Sequence, residues 1–109
     1  MLLGWNPQHS FLIEVKVSRT DFLRDKNKYC KKIGQIGDFK YYCCPPGVIK
    51  EEDLPEGWGL LYAYEEIIEL VKRAEELPAN KVGELAIICS IMRREGIKPQ
   101  VFDYRKTNN

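Results

Sequence analysis

Histidine is nearly missing from this chain, and paired-cysteine motifs are missing altogether. His9 is the single imidazole, and Cys30, Cys43, Cys44 and Cys89 occur without any C-x-x-C spacing. A zinc centre of thiolate and imidazole ligands would consume nearly all of them, so cysteine ligation of a metal is not expected. Buried free thiols in a reducing compartment are the simpler reading, and the cytoplasm is the expected location. No apolar run approaches the length of a membrane span, and the first residues lack the charged and apolar regions of a secretory leader, so no membrane partner is expected. Internal repeats and low-complexity segments are absent too, which excludes solenoids and long linkers.

What is present suits one globular core. The chain has 109 residues, 44% hydrophobic and 30% charged, enough for a single domain over residues 1–96 with a loosely held tail over 97–109. Its net charge of +1 conceals an asymmetry: residues 11–40 hold eight Lys/Arg against four Asp/Glu, and residues 41–80 hold three against nine. Basic zones suit phosphate-bearing partners, although charge alone favours a solvated mixed surface.

The pattern along the chain predicts β-β-α-β-β-β-α. MLLGW and residues 11–18 form a hairpin across the turn NPQHS. Within 11–18, Phe11, Ile13, Val15 and Val17 point one way and Leu12, Glu14, Lys16 and Ser18 the other. A helix capped by Ser18 or Thr20 covers about 19–32 and stops at Gly34 and Gly37. FKYYCC (39–44) and GLLYAY (59–64) read as strands, with one helical turn in the loop between. EEIIELVKRAEEL (65–77) has helical composition, yet its alternation favours a strand over about 67–72, turned back at Glu65-Glu66; helix remains the alternative. Asn80 caps a last helix from 81 to about 95, with Leu85, Ile88, Cys89 and Met92 on one stripe and Gly96 as its stop. The fold class expected is α/β or α+β, a mixed sheet of about five strands flanked by two main helices. The helices are expected over the Phe11, Ile13, Val15 and Val17 face.

One feature resists this packing account. Period-two geometry sets Glu14 and Lys16 side by side on one strand, and desolvating such charges is costly unless they pair or line a wet cleft. A carboxylate can hold a hard divalent cation, and a neighbouring lysine can help activate water and stabilise phosphate charge. E-x-K alone also describes many exposed strand pairs. Its setting is more particular: a strand, E-V-K, a Ser-Arg-Thr-Asp-Phe helix start, a basic helix, then an aromatic strand.

The extended pattern, Glu14 to Leu23 followed by Lys40-Tyr41-Tyr42, Pro45-Pro46-Gly47-Val48-Ile49 and Leu54 to Leu61, resembles the MmcB-like branch of the PD-(D/E)xK nuclease superfamily. That branch is linked to DNA repair, and similar small proteins occur in phage and mobile elements. The resemblance runs from about residue 9 to residue 63. It implies a restriction-endonuclease-like core and a Mg²⁺- or Mn²⁺-dependent site for cleaving DNA phosphodiesters. It further implies Glu14 as metal ligand, the Val15 backbone carbonyl as a second ligand, and Lys16 as the catalytic lysine. The superfamily's other acid lies on the preceding strand, which alignment places at or just before Met1; no acid precedes Glu14 in this chain. The same fold without that acid would be a module that binds DNA or a protein partner without cutting.

Around the pair, Ser18, Arg19 and His9 are candidate substrate contacts, and Asp21 a candidate accessory ligand. Each also has an ordinary role, as helix cap, surface cation, turn residue and dipole-favoured acid. Lys26, Lys28, Lys31 and Lys32 suit a DNA backbone or a solvated helix end. Tyr41, Tyr42, Trp58 and Tyr62 suit base stacking or, more commonly, a core. Unpaired sheet edges make a homodimer a further expected partner.

Overall fold

Five β-prone stretches pair into one mixed sheet, giving an α+β domain with two helices. The computed structural model describes the backbone of residues 1–28 and 36–97, and the side chains of these residues other than 25–28. Cys30, Lys31, Lys32, Gly34, the end of the expected basic helix and the tail beyond residue 97 lie outside the described residues, as do the side chains of Lys26 and Lys28.

β1 (Leu2–Trp5) and β2 (Ser10–Val15) form the antiparallel hairpin. Asn6 makes its turn, with Oδ1 accepting from the Gln8 and His9 amides at 2.9 and 2.7 Å. α1 (Arg19–Lys28) then carries the chain to β3 (Phe39–Cys44), which lies parallel to β2. Ser18 Oγ accepts from the Asp21 amide at 3.1 Å and so caps α1. β4 (Gly59–Ala63) lies parallel to β3, and β5 (Ile68–Lys72) runs antiparallel to β4, giving the spatial order β1-β2-β3-β4-β5. A 3-10 turn at Glu51–Asp53 occupies the β3–β4 connection. α2 (Lys81–Arg94) begins under Asn80, whose Oδ1 accepts from the Gly83 amide at 3.0 Å, and ends before Gly96 at φ +76°.

The stretch that reads both ways on composition is a strand. The Tyr64 amide donates to Ile67 O at 2.8 Å across Glu65-Glu66, and Ile68, Glu69 and Leu70 pair with Ala63, Tyr62 and Leu61. Pairing on an existing sheet edge outweighs the helical leaning of its Glu and Lys residues.

The face of β2 that turns inward is the reverse of the one expected. Leu12, Glu14 and Lys16 are buried, while Val15 and Val17 are 43% and 72% exposed. Neighbouring strands decide this. Glu14 lies beside Tyr42 in the parallel register. The Tyr42 ring stacks on Trp58 at 4.6 Å and takes the edge of Phe22 from α1 at 5.1 Å. These rings, with Leu12, Cys44, Ile49 and Leu60, are the core. Alternating side chains flip as a set, so the register that admits Leu12 brings Glu14 and Lys16 in with it. α2 also departs from expectation: Leu85 is 60% exposed, Ile88, Cys89 and Met92 are half-buried, and the buried side chain of the helix is Glu84.

β4 opens on Gly59 because nothing larger fits. A Cβ there would run into the Tyr41 ring and come within 2.7 Å of the Ala74 amide nitrogen. Gly59→Ala is therefore expected to cost about 2 kcal/mol, seen as a lower urea midpoint. An unchanged midpoint would show that the Tyr41 ring gives way freely.

Candidate active site

β2 ends by delivering Glu14 and Lys16 to one buried place. The two side chains are 3% and 4% exposed, and Lys16 Nζ stands 3.6 Å from Glu14 Oε1. That is ion-pair distance, longer than a direct hydrogen bond. The backbone is fixed beside them, since Val15 faces Cys43 in the ladder and the Lys16 amide donates to Cys43 O at 2.9 Å. Glu14 Oε2 is buried with no hydrogen-bond partner among the described residues. A buried carboxylate oxygen in that state is expensive, and such groups call for an explanation.

The β1–β2 register pairs Leu2 with Ile13, so its continuation sets Met1 against Glu14. The side chains of Leu2–Trp5 carry no oxygen. Among the described residues, no group of three or more His, Cys, Asp or Glu side chains gathers to hold a metal ion.

The remaining candidates fall into different places. Ser18 and Arg19 follow the pair directly at the start of α1. Ser18 is engaged as the helix cap. Arg19 grips Asp53 with two hydrogen bonds, Nη1 to Oδ2 at 2.8 Å and Nη2 to Oδ1 at 2.9 Å, and Nη1 also reaches Val48 O at 3.2 Å. The hydrogen bond to Asp53, then its charge, raises the guanidinium pKa above the ordinary value. Arg19 thus ties the start of α1 to the β3–β4 connection. Asp21 sits in the first helical turn, where the helix dipole favours an acid.

His9 does not lie at the mouth of this site. It precedes β2, five residues from Glu14, which along a strand is about 16 Å. There its Nε2 meets Glu76 at 2.9 Å and its ring meets Phe39 edge-on at 5.1 Å. A cavity of about 340 Å³ opens at that end, lined by Trp5, His9, Ser10, Lys81, Glu84 and Leu85 among others. The aromatics are structural as well. Tyr42 and Trp58 are core, the Tyr41 hydroxyl accepts from the Ala74 amide at 3.2 Å, and the Tyr62 hydroxyl donates to Ile49 O at 2.7 Å.

Sequence reasoning missed a second polar centre at the start of β2. Asp38 accepts from the Ser10 amide at 2.8 Å, and its own amide donates to Ser10 Oγ at 3.0 Å. Lys81 Nζ reaches both Asp38 oxygens at 2.8 Å. Glu84 Oε2 accepts from the Gly37 amide at 2.8 Å, and the fully buried Lys40 donates to Gly37 O at 2.7 Å. Burial pushes the Lys40 ammonium pKa down, against the opposing pull of Asp38 and Glu84. The one signal in the sequence was Lys40 itself, a cation set between aromatics in a strand.

Among solved structures, a protein of unknown function from Silicibacter pomeroyi is similar to this chain, with a TM-score of 0.59 and 24% identity. The likeness covers 93% of this chain and 74% of that one, and at such identity it shows the fold alone. No protein-family model matches the chain, and no curated protein matches it.

Proposed function

We propose that this domain is a metal-dependent DNA phosphodiester hydrolase of the PD-(D/E)xK type, with Glu14 and Lys16 at its centre. Its setting would be DNA repair or the processing of phage or mobile-element DNA, as the resemblance implies. The observation that carries the reading is the buried pair itself. A carboxylate and an ammonium stand 3.6 Å apart inside a strand, and one carboxylate oxygen has no partner among the described residues. As a purely structural element, such a pair costs more to desolvate than apolar residues of the same volume.

The donor set suits one kind of metal binding and not another. Magnesium keeps several waters and takes one or two carboxylates together with substrate phosphate oxygens. Glu14 can serve as that single carboxylate, with the Val15 carbonyl beside it as the resemblance implies. An all-protein cage does not fit, because no three acidic or imidazole ligands converge among the described residues. Bound there, Mg²⁺ or Mn²⁺ would supply Lewis-acid polarisation of a phosphoryl oxygen. The chain's own residues do the rest. Lys16 holds the Glu14 carboxylate by charge and sets a fixed positive group where negative charge develops on the phosphate. In a buried site that charge acts through a low dielectric and counts for more than in water. The basic excess over residues 11–40 suits the phosphate backbone of DNA.

The depth of the pair favours one alternative: a nuclease-fold module that binds DNA or a protein partner without cutting it. Calorimetric titration with Mn²⁺, alongside cleavage of labelled single- and double-stranded DNA, separates the two. The hydrolase reading expects Mn²⁺ binding and metal-dependent cleavage, both lost in Glu14→Gln. Salt-sensitive DNA binding without Mn²⁺ binding would select the module. A protein that binds neither DNA nor Mn²⁺ would remove the hydrolase and the DNA-binding module together.

A further inference from the structure

β5 is an edge strand with its backbone open on one side. Among the described residues no strand lies beyond it in the sheet. The Tyr64 amide bonds to Ile67 O, which turns Ile67 toward β4, so Ile68 and Leu70 direct their amides and carbonyls outward. The side chains along it are exposed and apolar: Ile67 at 66%, Ile68 at 64% and Leu70 at 46%. An edge of this composition is a template for another strand.

Its charges identify the strand that fits. Glu65 and Glu66 stand at the hairpin tip before β5, and Lys72 and Arg73 at its far end, all exposed. Charges on an edge usually prevent pairing, but here the two signs are segregated to opposite ends. A parallel copy would set acid on acid and base on base. An antiparallel copy brings the acidic tip of each chain to the same end of the seam as the basic end of the other. β1, the other edge, carries no charged residue over Leu2–Trp5 and has no such polarity.

We propose that two copies of this chain join through β5, antiparallel about a two-fold axis, so that one sheet runs through both. Glu69 selects the register. Centred on Glu69, the pairing would set that carboxylate directly against its own copy, which is destabilising. Centred on Leu70, it sets leucine on leucine and Ile68 opposite Lys72 of the other copy, and leaves Glu66 and Glu65 as diagonal neighbours of the other copy's Lys72 and Arg73. An isologous contact of this kind is closed, so association stops at two.

Light scattering behind size exclusion tests this on the intact chain, using wild type, Glu65→Lys/Glu66→Lys and Lys72→Glu/Arg73→Glu. The wild type is expected as a dimer and each variant alone as a monomer, since its edge then carries one sign at both ends. An equimolar mixture of the two variants is expected to restore a dimer holding one of each. A monomeric wild type overturns the proposal, and so does a pair of variants that dimerise as well as wild type. Leu70→Cys gives an independent reading. Facing residues in a hydrogen-bonded antiparallel pair lie about 5.5 Å apart, within disulfide reach. Oxidation should therefore yield a covalent dimer from Leu70→Cys and none from wild type. A dimeric Leu70→Cys protein that fails to cross-link would place the contact elsewhere.

Discussion

Replacing Lys16 with methionine is expected to remove about 3–5 kcal/mol of folding free energy, because the substitution strands a buried carboxylate. Methionine keeps most of the side-chain volume, so the loss is electrostatic rather than a cavity effect. Glu14 is 3% exposed, and its Oε2 has no hydrogen-bond partner among the described residues. Against a total stability of about 5–15 kcal/mol for a domain of this size, such a loss brings the protein close to unfolding. The double variant Glu14→Gln/Lys16→Met behaves differently, since no unpaired charge is left inside. It is expected within about 1 kcal/mol of wild type, a strong coupling in a double-mutant cycle measured by urea denaturation. That outcome would mean that stability does not explain why the strand carries charges, and would leave chemistry as the reason. A single-variant cost below about 1 kcal/mol would instead show that the interior solvates Glu14 without Lys16. The case for a catalytic pair would then weaken.

The elements of this fold are legible because their signals are local. Ser18 and Asn80 cap the helices, Asn6 turns the first hairpin, and Glu65-Glu66 turns the last. Alternation in residues 67–72 was the correct guide where composition pointed to helix, since a strand needs a neighbour and GLLYA supplies it. The inward face of β2 was not legible from β2 alone. Four apolar residues against one argued for the wrong side. The answer lay in Tyr42, Trp58 and Phe22, which come together only through the β2–β3 register and α1. Glu14 and Lys16, on the face opposite the one expected under the helices, are buried, which raises the cost of the pair. Asp38 and Lys81 were invisible for a similar reason, being 43 positions apart in sequence. No spacing rule links them, and only the path of the chain from β5 back to the first hairpin does.

That second polar centre carries the other large expected effect. Asp38→Ala removes the acceptor for the buried Ser10 amide and for Lys81, and is expected to cost about 3 kcal/mol at neutral pH. Its pH dependence distinguishes this charge effect from simple loss of packing. Burial alone would raise the Asp38 carboxyl pKa, but the hydrogen bonds from Lys81 and Ser10 outweigh it and hold the group below its ordinary value. The native state thus binds the proton less readily than the unfolded chain. Stability from Asp38 is then fully present above the unfolded carboxylate pKa of about 3.9 and drains away as pH falls through the lower folded value. Lys81 titrates in the opposite sense. The hydrogen bond to Asp38 raises its pKa, so its contribution holds at neutral pH and is lost only as pH rises past the raised value. Wild type and Asp38→Ala should therefore differ by a constant amount across neutral pH, and the gap should narrow as pH falls below about 4. Thermal or urea unfolding at a series of pH values reads this directly. A gap that persists undiminished at pH 2 would mean that Asp38 acts through its shape and not its charge, and that the Lys81 contact adds nothing to holding α2 against the first hairpin.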